Sequence, residues 1–117
     1  MKFTDTLKKN YEFQRLYSRG KSAVTPYLVV YVRKTRKRTN RIGITVSTKL
    51  GKAVVRNRVR RRLREIYRLS EEAFVPGTEL VVVARVRAVK ATYGQLEKAF
   101  MSACAKLGVL KDESESR

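Results

Sequence analysis

Histidine is absent from this sequence, cysteine occurs once, and only ten of the 117 residues are acidic. Without histidine the chain lacks the most frequent general base and a principal metal ligand. Cys104 has no histidine to activate it and lies among small and apolar residues, so we expect it to be buried and to form no disulfide within the chain. The acids are scattered, and no glycine-rich phosphate loop is present. These absences argue against a metalloenzyme or a self-contained nuclease.

Long hydrophobic runs are also missing, since no stretch approaches the roughly 18 apolar residues that a membrane-spanning helix needs. The sequence begins without a hydrophobic region of the signal-peptide type, so we expect a cytoplasmic protein. A hydrophobic content of 43% is near the globular norm, and the length suits one domain. We predict a single domain over residues 1–110 and a disordered acidic tail over residues 111–117.

Positive charge is what the sequence has in excess. Its 28 lysines and arginines give a formal net charge of +18 and an isoelectric point near 10.7. This charge is far beyond what solubility requires, and it favours binding to nucleic acid or to an anionic membrane surface.

The stretch from Lys49 to Leu69 concentrates this charge on one predicted helix. Apolar residues recur there at helical spacing and predict a stripe that faces the core: Val55, Val59, Leu63, Ile66 and Leu69. The opposite arc is basic, with two arginines at its shoulders: Asn57, Arg60, Arg61, Arg64 and Arg68, flanked by Arg56 and Arg58. Like charges four residues apart cost roughly 0.2–0.5 kcal/mol per pair, and a helix face that only met solvent would mix signs. We therefore predict a phosphate partner, which the planar guanidinium group binds bidentately.

The remaining pattern predicts an α+β fold. We expect a two-layer α/β sandwich, with about four strands in a mixed sheet and the helices packed on one face, in the order α-β-β-(β)-α-β-α. The predicted helices outside the arginine stretch are 10–20 and 92–107, and the strands are 27–32, 41–47 and 80–86, the last buried on both faces. The basic segment Arg33–Arg41 predicts a hairpin connection, whose charges either contact RNA or are merely solvated.

Four aromatic residues lie among basic ones in the first third of the chain: Phe13, Tyr17, Tyr27 and Tyr31. Alternation along the first predicted strand places Tyr27, Val29 and Tyr31 on one face, which the helix carrying Phe13 and Tyr17 can flank to form a groove. Such rings either stack on unpaired RNA bases or belong to the core, and both interpretations stay open at this point.

The arginine stretch resembles the signature of the protein subunit of bacterial ribonuclease P. The similar segment is Lys-Leu-Gly-Lys-Ala-Val-Val-Arg-Asn-Arg-Val-Arg-Arg-Arg-Leu-Arg-Glu, residues 49–65. The resemblance extends over roughly residues 8–107 and includes further positions: Phe13, Tyr17, Gly20, Tyr31, the segment Gly43–Ser47 and the segment Leu80–Ala84. Arg62 departs from the family pattern, which commonly has an apolar residue there.

This resemblance implies that a partner RNA binds Mg²⁺ and cleaves precursor tRNA at its mature 5′ end, while the protein is an accessory subunit that is inactive alone. No metal site of the protein itself is evident in the sequence. The resemblance also implies a left-handed βαβ crossover. The residues expected to contact the catalytic RNA are Lys52, Arg56, Asn57, Arg58, Arg60, Arg61, Arg64 and Arg68. Those expected to bind the 5′ leader of the substrate are Phe13, Tyr17, Val29 and Tyr31. The alternative from composition alone is a ribosomal or ribosome-assembly RNA-binding protein.

Overall fold

The computed structural model describes residues 2–111, which form a five-stranded mixed sheet with three α-helices. The strands are β1 (Thr4–Thr6), β2 (Lys21–Val24), β3 (Leu28–Lys34), β4 (Asn40–Thr45) and β5 (Thr78–Ala84). The helices are α1 (Asn10–Arg19), α2 (Ala53–Ser70) and α3 (Tyr93–Lys106), with 3₁₀ turns at Thr48–Leu50, Glu71–Ala73 and Val86–Lys90. The predicted α+β class is confirmed, although the sheet has five strands instead of four. The acidic segment 112–117 of the predicted tail lies outside the described residues. Within residues 2–111, none of the helices is long and apolar enough to cross a bilayer.

Strand β5 is the centre of the sheet, whose strand order is β1-β4-β5-β3-β2. Leu80, Val81 and Val82 are buried, which confirms the strand predicted to be covered on both faces. Because β5 pairs with β3 on one side and with β4 on the other, β3 and β4 are not neighbours, and the predicted hairpin at Arg33–Arg41 is wrong. A strand that is apolar on both faces gains most from a central position, where its peptide groups are paired on both edges.

The helices cover both faces of the sheet. Helices α2 and α3 pack on the face that carries Val30, Leu80 and Val82. Helix α1 packs on the opposite face, where Leu16 contacts Val81. The prediction of helices on one face is therefore wrong, because consecutive apolar residues of β5 point to opposite faces and each face needs a cover.

The β4–α2–β5 unit joins adjacent parallel strands by a left-handed crossover. The carbonyl of Ile42 accepts from Leu7 N at 2.9 Å, so it points toward β1, while the Ile42 side chain lies in the core shared with α2. In a strand that runs upward, an L-residue whose side chain points to the observer directs its own N–H and C=O to the observer's right. With α2 in front, β1 is thus on the right of β4 and β5 on its left. This is the uncommon hand that the resemblance implied.

The first strand, which the sequence did not predict, is held by a buried carboxylate. Glu71 is 6% exposed and accepts from the backbone N–H groups of Lys2 and Phe3 at 2.9 and 3.0 Å and from the Thr4 hydroxyl at 2.5 Å. The Thr4 hydroxyl also lies 2.6 Å from the Tyr67 hydroxyl. Burial alone would raise the pKa of Glu71, but these hydrogen bonds outweigh it and the pKa lies below its ordinary value.

We expect Glu71→Gln to lower the free energy of unfolding at pH 7 by about 1–3 kcal/mol, the usual loss when a charged acceptor is removed from buried donors. A carboxylate whose pKa is lower in the folded chain stabilises the fold above its unfolded pKa, and this contribution is lost as the pH falls through the folded pKa. The difference between the two proteins should therefore shrink below about pH 4. Urea unfolding at several pH values measures it, and a difference independent of pH would contradict the assignment.

Candidate nucleic-acid interface

Helix α2 buries one stripe and leaves its other side to solvent. The buried residues include Val59, Leu63 and Ile66, as the spacing predicted. Leu69 was also predicted to be in the core but is 62% exposed, and Tyr67 takes that place, 5.2 Å from the Phe74 ring between centroids. Tyr67 projects from α2 toward the sheet, whereas Leu69, two residues later in the last turn, projects away from the sheet.

The solvent side of α2 carries the predicted basic residues. The exposed ones are Lys52, Asn57, Arg58, Arg61, Arg64 and Arg68, and the half-buried ones are Arg56 and Arg60. Arg68 is paired with Glu65, its Nε and one terminal nitrogen lying 3.0 and 2.6 Å from the two carboxylate oxygens. Within residues 2–111 no carboxylate lies within 4.0 Å of the other cationic groups of this set. We call these eight residues the α2 basic face.

Short polar contacts organise the beginning of this face. Arg56 Nε donates to the Gly51 carbonyl at 3.1 Å, and Arg60 donates to Asn57 Oδ1 at 3.0 Å. The N-cap position is Lys52, whose side chain makes no capping bond, and the first turn has no acid. The positive end of the helix dipole is therefore left without a compensating side chain.

Arg62, which departs from the family pattern, faces a different direction. It is half-buried and donates to the Ala91 carbonyl at 3.3 Å, at the entrance to α3. Its guanidinium thus fastens α2 to the segment before α3. The contact gives Arg62 a structural partner that sequence spacing did not indicate.

The four aromatic and aliphatic residues predicted to bind leader lie together on the other face of the sheet. Phe13 and Tyr17 project from α1, and Val29 and Tyr31 from β3; all four are half-buried. Two rows of paired residues cross the sheet beneath them, Ser22–Tyr31–Val81–Gly43 and Val24–Val29–Val83–Thr45. Helix α1 covers the first row, while the second ends in Val24, which is 65% exposed. We call this site the α1 cleft.

Specific contacts fix the rings of the α1 cleft. Tyr17 and Tyr31 meet edge to face with their centroids 5.0 Å apart, and the Tyr17 hydroxyl lies 3.2 Å from that of Thr45. Phe13 lies directly on Gly43, where a Cβ atom would come within 2.5 Å of the ring. Glycine at 43 is therefore required for the position of Phe13. The rings of Phe13, Tyr17 and Tyr31 are half-buried and pack against the small core under α1.

Tyr27 does not join this cleft. It precedes β3, and its half-buried ring packs with the core on the α2 and α3 face. Alternation placed it beside Tyr31, but alternation applies only within the regular strand, which begins at Leu28.

A third row on the α1 face is charged, and sequence reasoning missed it. Arg33, Glu79 and Arg41 are paired across β3, β5 and β4. Arg33 lies 3.1 Å from Glu79, and Arg41 contacts Glu12 of α1 and lies 3.9 Å from Glu79. Hydrogen bonds from the backbone N–H groups of Lys9 and Lys8, together with Arg41, lower the pKa of Glu12 against the effect of burial. In the sequence, the available signal was that Arg33 and Arg41 each fall, by alternation, on the strand face that α1 covers.

The α2 basic face and the α1 cleft meet at one edge of the sheet. A small cavity of about 190 Å³ is lined there by Phe13 of the cleft and by Arg60 and Arg64 of the basic face, with Gly43 and Ile44 between them. Strand β1 ends at Thr6, so the edge of β4 beyond it is uncovered. The fold thus places the two predicted surfaces next to each other.

Two observations concern the side chains that most often carry catalysis or metals. Cys104 is buried as predicted, and burial raises the pKa of its thiol to about 12. Residues 2–111 contain no group of three side chains of the His, Cys, Asp or Glu type placed to hold a metal ion.

Comparison with known proteins identifies the family. Residues 1–108 match the family model described as Ribonuclease P. The ribonuclease P protein component of Clostridioides difficile is 45% identical over 96 residues, covering 81% of this chain and 84% of its own, and that of Natranaerobius thermophilus is 40% identical, covering 91% and 92%. The fold is similar to the ribonuclease P protein of Staphylococcus aureus, with a TM-score of 0.83, 32% identity and coverage of 91% and 97% of the two chains. The protein from Thermotoga maritima gives a TM-score of 0.76 with 28% identity, covering 84% and 93%. The chain belongs to the ribonuclease P protein family, the protein component of a tRNA-processing enzyme.

Proposed function

We propose that the α2 basic face binds the catalytic RNA of ribonuclease P and that the α1 cleft binds the 5′ leader of precursor tRNA. The observation that carries the first assignment concerns residues 2–111, where most cations of the α2 basic face have no carboxylate within ion-pair distance. Within this range, Arg33 and Arg41 on the sheet are paired with acids, and on α2 only Arg68 is. Unpaired guanidinium groups on a rigid helix are suited to phosphate, and their binding releases counterions from RNA.

The α1 cleft suits a single strand. Phe13 and Tyr31 present partly accessible rings on which unpaired bases can stack, while Val29 and exposed Val24 extend the apolar floor. Arg15, Arg19 and Lys21 are exposed on α1 and β2 and supply charge for the backbone of the same strand. Its junction with the basic face at Arg60 and Arg64 would let one protein hold leader and catalytic RNA together.

In this proposal the partner RNA carries out the cleavage. RNA-bound Mg²⁺ would supply the activated water and stabilise the developing charge, so no protein acid or base is needed. Among residues 2–111 no cluster of His, Cys, Asp or Glu side chains is placed to hold a metal ion, and Glu12 and Glu79 are paired with Arg41 and Arg33. The protein contributes binding and orientation. Membership of the ribonuclease P family argues against the ribosomal alternative.

Reconstitution tests the proposal. At low Mg²⁺ concentration, adding this protein to a bacterial ribonuclease P RNA should accelerate cleavage of precursor tRNA by at least tenfold, because the protein adds binding energy for leader and RNA. The protein without RNA should leave the precursor intact. A ribosomal protein of similar charge is the control for nonspecific neutralisation of phosphates. Equal acceleration by that control, or cleavage by the protein alone, would refute the proposal.

A further inference from the structure

A second groove with aromatic and basic walls lies on the face of the sheet opposite the α1 cleft. Its volume is about 560 Å³, and we call it the Tyr27 groove after the aromatic residue that lines it. The lining residues are Tyr27, Leu50, Val86, Arg87, Val89, Lys90, Ala91 and Gln95. They come from four places: the residue before β3, the 3₁₀ turn that precedes α2, the 3₁₀ turn that follows β5 together with the residue after it, and the first turn of α3.

The chemistry of this groove is that of a site for an unstacked base beside a phosphate. Tyr27 is half-buried and presents part of its ring, and Val86 is 59% exposed although apolar. Arg87 and Lys90 are exposed, and among the described residues neither lies within ion-pair distance of a carboxylate. No acidic residue lines the groove. Its volume falls in the range of small-ligand sites, which run from about 300 to 1,000 Å³.

Two arginine side chains, those of Arg62 and Arg85, hold the walls of the groove in place by donating to backbone carbonyls. Arg62 of α2 donates to the Ala91 carbonyl at 3.3 Å, and Arg85 donates to the Thr25 carbonyl at 2.8 Å. The backbone N–H of Arg85 also donates to the Tyr27 carbonyl at 2.9 Å. The two bonds of Arg85 hold the Val86–Lys90 turn against the segment before β3, and the bond of Arg62 holds the end of that turn against α2. The groove is therefore preformed, and a ligand would not have to order it.

We propose that the Tyr27 groove is an additional RNA-binding site that takes one unpaired nucleotide, with its base against Tyr27 and its phosphate against Arg87 and Lys90. This inference rests on the proposed function, because it assumes that the protein acts on RNA. The nucleotide comes either from the catalytic RNA or from the precursor tRNA, and both present the same base and phosphate. The site is separate from the α1 cleft, since the sheet lies between them.

Charge removal gives the first test. Arg87→Ala with Lys90→Ala should weaken assembly with the catalytic RNA, or binding of precursor by the assembled enzyme, by about tenfold. The control is Lys98→Ala with Lys106→Ala, which removes the same charge from exposed positions on α3 and should change either constant less than twofold. Equal effects of the two double variants would overturn the proposal, because the loss would then reflect net charge alone.

Ring replacement gives the second test. Tyr27→Phe keeps the ring and should bind within twofold of the parent, whereas Tyr27→Leu removes it and should weaken binding about fivefold or more. Urea unfolding of both variants separates this loss from damage to the core that Tyr27 contacts. Equal RNA affinity of the Leu and Phe variants would overturn the proposal.

Crosslinking identifies the source of the nucleotide. A photoreactive residue at position 86 in the assembled enzyme should crosslink to RNA, and the labelled strand shows whether the catalytic RNA or the precursor occupies the groove. Position 61 on the α2 basic face serves as the reference. Crosslinks from 61 without any from 86 would overturn the groove assignment and leave the proposed function intact. Absence of both would instead count against the proposed function itself.

Discussion

Arg60→Ala combined with Arg64→Ala should weaken binding of the catalytic RNA by about 30- to 150-fold. This corresponds to about 2–3 kcal/mol for two charge-assisted contacts to phosphate. Each lost contact should also reduce the slope of log affinity against log salt concentration by roughly 0.7–0.9. Filter binding or fluorescence titration at several salt concentrations measures both quantities.

The same double variant should be no less stable than the parent protein. Both arginines are surrounded by like charges at helical spacing, such as Arg56 and Arg68, and alanine is the best helix former. Urea unfolding should therefore give an unchanged or slightly higher free energy of unfolding. The matched control is again Lys98→Ala with Lys106→Ala. If the control variant lost as much affinity as the α2 variant, or showed an equal reduction of the salt slope, the α2 basic face would have no special role.

Tyr31→Leu and Phe13→Leu should each weaken binding of leader-bearing precursor by about 5- to 150-fold, while binding of mature tRNA stays unchanged. A base stacked on an aromatic ring contributes about 1–3 kcal/mol, and leucine keeps most of the apolar contact with α1 and the sheet. The measurement is the dissociation constant of the assembled enzyme for the two RNAs.

A control for these ring variants is available on the same helix. Tyr11 is 57% exposed, lies outside the α1 cleft and has the cationic groups of Lys9 and Arg15 at 5.8 and 5.7 Å from its centroid. Tyr11→Leu should leave both affinities within twofold of the parent. Equal losses for precursor and mature tRNA with the cleft variants would mean that Phe13 and Tyr31 act only in the core.

Local pattern was sufficient wherever one element alone decides the outcome. The period of Val59, Leu63 and Ile66 fixes which side of α2 is buried, and so it also fixes which side presents arginine. The unbroken apolar run of β5 required a central, doubly covered strand. Both predictions depend on geometry within a helix or a strand, which does not change with the neighbours.

The errors arose where distant segments compete for the same partner. Residues 4–6 have no pattern of their own and become β1 because the edge of β4 pairs with them and because Glu71 holds the two residues before them and the Thr4 hydroxyl. The hairpin expected at Arg33–Arg41 does not form because β5 lies between β3 and β4 and pairs with both. Tyr67 is in the core instead of Leu69 because its hydroxyl forms a hydrogen bond with that of Thr4 and its ring packs against Phe74. Apart from Phe74, these partners are distant in sequence.

The sequence by itself determined that the protein is basic, that much of its charge lies on one helix, and that it contains no histidine, because these properties belong to residues and to the 3.6-residue period of a helix. Tertiary structure alone decided that Arg33 and Arg41 are neutralised by acids, that α1 covers the face opposite α2, and that Tyr27 lies in a groove apart from Tyr31. The physical reason is that pairing and burial depend on segments brought together by the sheet, whose strand order is not encoded in any local pattern.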